Sequence, residues 1–171
     1  MARVRQRVIR AVAAAWLSEE CKVLRMELET LRLRLTTVRP SLAPAITDFE
    51  RRNRSFLKEW EPCREPDYYT EDNQRYLAEH DVLNMERGQL FKVWLSKRIE
   101  PERIIGAVSL SNIVRGAFQS CHLGYRLDGE ENGKGYMTEA VKQVADYGFR
   151  ELKLHRIEAN IMPRNAASLR V

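Results

Sequence analysis

The sequence has too little cysteine and histidine to build a disulfide framework or a metal site. Cys21, Cys63 and Cys121 are odd in number and widely spaced, with no Cys-x-x-Cys pair, so they read as free thiols in a reducing cytoplasm. His80, His122 and His155 are equally scattered, and no metal is expected. No apolar run approaches the roughly 20 residues that a bilayer-crossing helix needs, so no membrane role is expected. Excess positive charge is also missing from most of the chain. The net charge is +5, but residues 1–25 hold six bases against two acids, while residues 26–171 hold 23 against 22. The basic balance belongs to the tail, and direct nucleic-acid binding is not expected of the remainder.

What is present is ordinary in bulk. With 44% apolar and 31% charged residues in a chain of 171, the composition is that of one soluble globular domain with room for a real core. The tail reads as an addition to it. Val4, Val8, Val12 and Ala15-Trp16 fall along one side of a basic amphipathic helix, and the acid-free, Arg-rich start faintly suggests a transit peptide. Met26-Glu27-Leu28-Glu29-Thr30 looks like a natural start, so residues 1–25 read best as an over-extended beginning and receive no function.

From there the chain alternates strand and helix signals. Leu31-Arg32-Leu33-Arg34-Leu35-Thr36-Thr37-Val38 alternates apolar with polar, a half-buried strand. Pro40 stops it and residues 41–54 read as a helix. Pro62 and Pro66 mark a loop, and Thr70 is a good N-cap for a helix over residues 71–84. Residues 89–97, 103–114 and 121–127 read as strands whose short connections favour antiparallel pairing. Met137, Val141, Val144, Gly148 and Leu152 make one stripe of a helix, and residues 156–162 read as a further strand. The strand–helix–strand step is expected to be a right-handed parallel crossover. The sum is a mixed α/β layer, mainly antiparallel, with helices on both faces.

Glycine is scarce at 8 residues, yet Gly133 and Gly135 flank Lys134 in the stretch Leu127-Asp128-Gly129-Glu130-Glu131-Asn132-Gly133-Lys134-Gly135-Tyr136-Met137-Thr138-Glu139-Ala140. Such a turn bares backbone N–H groups at a helix N-terminus, where a phosphate is favoured and no Cβ obstructs it. A Walker loop would need Ser or Thr after Gly-Lys, and Gly135 stands there. A dinucleotide fingerprint would need a third glycine where Thr138 is. On its own, Gly-x-Gly equally fits an ordinary helix cap.

The companions of that turn carry a resemblance. Gly133-Lys134-Gly135-Tyr136-Met137-Thr138-Glu139-Ala140, then Leu154-His155-Arg156-Ile157-Glu158-Ala159, then Arg164-Asn165-Ala166-Ala167-Ser168 together resemble the acetyl-CoA-dependent N-acetyltransferases of the GNAT superfamily. Asn53-Arg54-Ser55-Phe56-Leu57-Lys58-Glu59-Trp60-Glu61-Pro62 looks like a segment of its RimJ/RimL branch, which acetylates N-terminal amines of ribosomal proteins. The resemblance spans residues 27–171. It implies a cytoplasmic enzyme that uses acetyl-CoA and no metal, with a protein N-terminus as acceptor and an association with the ribosome. It further implies that the two parallel strands splay apart, with the pantetheine arm of CoA along the backbone of Leu123, Tyr125 and Leu127. The chain ends at Val171, one turn into a helix, where the family continues with about two further strands. By that comparison the domain over residues 26–171 is C-terminally incomplete, its sheet lacking the last strands, and an exposed pairing edge is expected.

Acetyl transfer needs a grip on CoA, a neutral amine, a stabilised oxyanion and a proton for the thiolate. The grip falls to the backbone of Gly133, Lys134, Gly135, Tyr136, Met137 and Thr138, with Lys134 adding charge. Glu130 occupies the position where the family has Gln or Arg, so a side-chain phosphate contact is not expected there, though the backbone cradle survives. A backbone N–H of Leu123-Gly124-Tyr125-Arg126 is the implied oxyanion donor. Glu158 is the candidate base, with Asn160 on the same strand face; a salt-bridged strand residue is the alternative. Asn165 and Ser168 face CoA by resemblance, although plain capping by Asn165 satisfies the same pattern. Tyr125 and Tyr136 are nearby stand-ins for a general acid, and each fits a packing role better. Phe56 and Trp60 belong to a wall of the acceptor site by resemblance, and fit a core role equally. Two other readings stay open: acetylation of a small amine such as a polyamine or antibiotic, and an inactive CoA-binding fragment.

Overall fold

A computed structural model describes residues 26–171; the readings made for residues 1–25 lie outside the described residues. Six strands form one sheet in chain order: β1 Glu27–Glu29, β2 Leu33–Thr37, β3 Phe91–Lys97, β4 Glu100–Val114, β5 Ser120–Leu127 and β6 Arg156–Glu158. Neighbours pair antiparallel up to β5, which then pairs parallel with β6. The helices are α1 Ala43–Leu57, α2 Glu71–Glu86, α3 Tyr136–Arg150 and the single-turn α4 Ala166–Leu169. None among the described residues is long and apolar enough to cross a membrane.

Strand β3 is buried over most of its length, because both of its faces are covered. Phe91 stacks on Tyr147 of α3, with centroids 4.5 Å apart. Trp94, three residues along and so on the opposite face, meets Phe49 of α1 edge-on at 5.7 Å. Helix α1 presents Ala43, Ile46, Phe49, Asn53 and Leu57 to the sheet at helical spacing. Helix α3 presents Met137, Ala140, Val144 and Gly148 from the other side. Thr70 caps α2 by accepting a hydrogen bond from the Asn73 N–H, as its position predicts.

Most boundaries shift by one to three residues from the sequence reading, and three of the differences have a clear physical reason. The strand expected over residues 31–38 begins at Leu33, because residues 30–32 turn a hairpin into β1 instead. The Leu33 N–H donates to the Thr30 hydroxyl oxygen and the Thr30 N–H to the Leu33 carbonyl. That local turn chemistry overrides the apolar alternation and leaves Leu31 85% exposed at the tip. Helix α1 starts at Ala43 and runs to Leu57, since residues Pro40–Leu42 form a 3-10 turn first. The strand expected over residues 156–162 lasts three residues. It pairs with β5 only at Ser120, Cys121 and His122; beyond that the strands part, and a ladder needs a neighbour.

Gly106 of β4 sits where sheet and side chains leave no room. A Cβ there would lie 2.6 Å from the Arg126 carbonyl oxygen and 3.1 Å from a Leu127 methyl. Gly106→Ala should therefore cost about 1–3 kcal/mol of stability, read as a lowered urea midpoint with an unchanged slope.

Candidate functional site

The site begins where β5 ends. Asp128 follows the strand and is 2% exposed, yet charged. It accepts hydrogen bonds from the Glu130 N–H at 3.1 Å and from the Arg52 guanidinium of α1, with Arg103 of β4 at 3.5 Å. One residue on, Asn53 of α1 bridges helix and turn. Its Oδ1 accepts from the Gly129 N–H at 3.0 Å, and its Nδ2 donates to the Phe49 carbonyl at 3.0 Å. The Phe56 ring closes over Gly129, where an added Cβ would be 3.0 Å away.

The turn then opens. Gly133 and Gly135 hold φ of 76° and 77°, a left-handed backbone that favours glycine. A Cβ added at Gly133 would meet nothing within 4 Å, and residues 132–135 are exposed. Gly135 is the N-cap of α3 and brings no side-chain cap, so the N–H groups of Tyr136, Met137 and Thr138 have no intrahelical acceptor. Lys134 does not face the opening as a free charge. Its ammonium binds Glu131 at 2.8 Å, and Glu131 also holds Lys97 at 3.0 Å.

A cation that the sequence reading missed lies beside the turn. Arg32, at the hairpin tip, donates from Nη1 to the Lys134 carbonyl at 2.9 Å and from Nε to Glu139 at 2.7 Å. Its guanidinium lies 4.5 Å over the Tyr136 ring, and its Nη2 would be 3.5 Å from a Cβ at Gly135. Glu139 of α3 also accepts from the Arg32 N–H and the Thr30 hydroxyl. About a hundred residues separate these partners, and no local signal joins them.

From this turn the free edge of β5 runs back toward the point where β6 parts from it. Leu123 and Tyr125 lie along that stretch half-buried, and Leu127 is buried. Glu158, opposite His122 at the parting point, pairs with Arg156 at 2.9 Å, the salt-bridged alternative to a free base. Asn160 lies past the end of β6 and is exposed, so the strand alternation that was to put it on one face with Glu158 is absent. Met137 is 5% exposed and packs in the core; only its backbone remains available to the turn. Asn165 caps α4 by accepting from the Ser168 N–H at 3.0 Å. The Tyr125 hydroxyl donates to the Ser168 carbonyl at 2.9 Å, tying α4 to β5. Phe56 packs on Gly129, and Trp60 lies half-buried under Arg164 at 5.8 Å.

On the α1 and α2 side of the sheet, a cleft of about 370 Å³ adjoins β5. Gly124, Tyr125 and Arg126 form its floor with Trp94, and Glu61, Tyr68 and Asp81 stand around it. Arg126 binds Glu50 at 2.6 Å and lies over the Trp94 ring at 5.2 Å. Burial alone would lower its pKa, but Glu50, Tyr68 and Glu61 outweigh that and raise it. Burial raises the Glu50 carboxyl against the opposing pull of Arg126, and it lowers the Lys92 ammonium against the pull of Asp81, 2.6 Å away. The Cys121 thiol of β5 is pushed up to about 11 by burial. Among the described residues no group of three or more His, Cys, Asp or Glu is placed to hold a metal ion. In chemical terms the arrangement offers an anion cradle, a strand edge for an extended ligand, and a charged cleft for a second one.

The carboxylates around the turn make it acid-sensitive. Burial would raise Asp128, Glu131 and Glu139. In Asp128 the Glu130 N–H and Arg52 outweigh burial, in Glu131 the two lysines, and in Glu139 the Thr30 hydroxyl with Arg32. All three then sit below their ordinary values of 3.8, 4.5 and 4.5. A depressed folded pKa contributes stability that is complete above the unfolded value and lost as pH falls through the folded one. Chemical denaturation should therefore show a plateau above about pH 5.5 and a decline below about pH 4.5. Asp128→Asn should lower the plateau by about 2 kcal/mol and make the acid decline shallower.

Comparison with known proteins matches this geometry to one family. The acetyltransferase (GNAT) domain family matches residues 32–171. The probable N-acetyltransferase YjcK of Bacillus subtilis is 46% identical over 119 residues, covering 70% of this chain and 65% of the relative, so the chain spans just under two thirds of that protein. The [Ribosomal protein uS5]-alanine N-acetyltransferase of Escherichia coli is 37% identical over 145 residues, covering 84% of this chain and 74% of the relative. The crystal structure of ribosomal-protein-S5-alanine acetyltransferase from Vibrio fischeri superposes with a TM-score of 0.80 at 34% identity, covering 85% of this chain and 79% of that one. The mixed sheet, its single parallel pair and the helices on both faces are those of this fold, and the chain belongs to the acetyltransferase (GNAT) domain family.

Proposed function

We propose that this chain transfers acetyl from acetyl-CoA to a protein N-terminal amine, that of a ribosomal protein, in the cytoplasm. One observation carries the reading. β6 leaves β5 after His122, so among the described residues that edge of β5 has no strand partner from there to the glycine turn. An extended pantetheine fits that edge by strand-like hydrogen bonding, with its diphosphate at the N-terminus of α3 and its thioester at Gly124. The substrates named for the Escherichia coli and Vibrio fischeri relatives support an alanine N-terminus as acceptor.

The residues present fit CoA by their openness. The space beside Gly133 is empty to 4 Å, and the first turn of α3 supplies donors and a favourable dipole. Arg32 adds the positive charge that Glu130, an acid paired with Arg103 at 3.2 Å, cannot supply. The backbone of Leu123, Tyr125 and Leu127 would hold the pantetheine, and a β5 N–H the oxyanion. Ser168 stands beside β5 through the Tyr125 hydroxyl, with Asn165 capping its helix, while Phe56 and Trp60 do not line the cleft. A CoA-release assay decides the acceptor class. Turnover of an Ala-terminated peptide but not its N-acetylated form or spermidine supports the reading; turnover of spermidine alone replaces it with small-amine acetylation.

For the grip, Gly135→Asp should weaken CoA binding more than tenfold in calorimetry. It places a carboxylate and a strained side chain at φ 77° where the diphosphate meets backbone. Lys134→Ala should cost about 1 kcal/mol or less, because Glu131 already holds that ammonium. Equal losses would mean that the lysine, not the backbone, holds the phosphates.

A further inference from the structure

Glu61 and Asp81 line the cleft beside β5 and Glu50 lines the adjoining cavity, and the three carboxylates are unequally committed. Glu50 of α1 is 2% exposed and takes the short 2.6 Å bond from Arg126, with the Tyr68 hydroxyl at 3.3 Å on the same oxygen. Asp81 of α2 holds Lys92 at 2.6 Å. Glu61, in the loop after α1, meets Arg126 only through contacts of 3.4 Å at each carboxylate oxygen. Its side chain is 21% exposed, and it lines both the main cleft and the adjoining 210 Å³ cavity that opens along the loop. The cations are differently placed. Arg126 and Lys92 have their short carboxylate partners, and the Arg64 guanidinium lies 4.7 Å over the Tyr68 ring. An incoming ammonium therefore finds one carboxylate whose existing contacts are long enough to yield to a direct charge-assisted bond of about 2.8 Å.

We propose that Glu61 receives the ammonium of the acceptor in this cleft and takes its proton before acetyl transfer. The assignment rests on the acetyltransferase reading above and names the residue on which its acceptor lands. Arg126 is the positioning residue: held by Glu50 and the Trp94 and Phe49 rings, it keeps Glu61 turned toward the cleft through its two 3.4 Å contacts.

The step balances without any further reactant. One proton passes from the ammonium to the Glu61 carboxylate and on to solvent. The nitrogen lone pair forms the new C–N bond to the thioester carbonyl, the C–S bond breaks as the tetrahedral species collapses, and the second nitrogen proton leaves with the thiolate as free CoA thiol. Glu158 is less suited to this step, since it pairs with Arg156 at 2.9 Å and does not line the cleft.

The test is Glu61→Gln in the full chain, with a peptide bearing an N-terminal alanine as acceptor. An N-terminal amine has a pKa of about 8, so it arrives charged at pH 7 and neutral at pH 9.5. The variant should lose about 100-fold in kcat/KM at pH 7, with the deficit shrinking below about fivefold at pH 9.5. CoA affinity should stay within twofold, the melting temperature should be near that of the parent, and Glu61→Asp should recover part of the loss. A deficit that is constant across pH, or below threefold throughout, overturns the assignment while leaving the transferase reading intact. If the parent acetylates no peptide, the transferase reading fails instead, and calorimetry on the CoA-loaded protein decides the amine site alone. Preference for the free-amine peptide over its N-acetylated form, abolished in Glu61→Gln, supports it; no preference in the parent overturns it.

Discussion

The buried carboxylate of Asp128 fixes the geometry on which the rest of the site depends. Taking a carboxylate out of water costs several kcal/mol unless charge and hydrogen bonds replace the lost solvent. Here Arg52 from α1, Arg103 from β4 and the Glu130 N–H supply them. These partners come from three parts of the chain, so the carboxylate is satisfied only when helix, sheet and turn are together. Asn53 adds the neighbouring tie to Gly129. The position at which β5 stops, and hence where Gly133 and Gly135 present their backbone, follows from that closure.

A second closure acts from the other side of the turn. Glu139, one turn into α3, gathers the Thr30 hydroxyl, the Arg32 N–H and the Arg32 guanidinium, while Arg32 also holds the Lys134 carbonyl. The glycine turn is thus clamped at both ends and open only in its middle. A left-handed backbone at two glycines costs conformational entropy on folding, and the two clamps make that ordering part of the global fold. For the proposed diphosphate, the donors are then already in place, with little further ordering to offset its binding.

The cleft is organised differently, around a cation. Arg126 stacks over Trp94 and Phe49 and faces two glutamates and a tyrosine hydroxyl. Such a network is weak evidence for stability, because desolvation offsets much of the Coulomb gain. Its use is orientation. Gly124 leaves the floor of the cleft low beside Arg126, where a Cβ would come within 3.3 Å of the Ser109 hydroxyl. Gly124, Tyr125 and Arg126 thus bring the cleft to the stretch of β5 that, among the described residues, has no partner on its β6 side.

Much of the fold was legible locally. The strand and helix periodicities, the Thr70 cap, the parallel crossover and the Gly133-Lys134-Gly135 turn opening α3 are all local patterns, and each is set by nearest-neighbour sterics and by which face is apolar. Where local turn chemistry outbid a pattern, as at Thr30, the reading shifted by a few residues. The Arg156 strand was over-read because its length depends on a neighbour and not on its own apolar run. The segment from Asn53 to Pro62 was picked out, but the tie of Asn53 to Gly129, the use of Phe56 as a cover for Gly129 and the loose pairing of Glu61 were not visible in it. Arg32 and Arg126 gave no signal, being single charges, one in a hairpin turn and one in a strand. What the sequence by itself determined was the order of elements and the conformation of the turn. Only the tertiary structure decided which charges meet there, because pairing between residues such as Arg32 and Glu139 or Glu50 and Arg126 depends on distances that exist only once the sheet has closed.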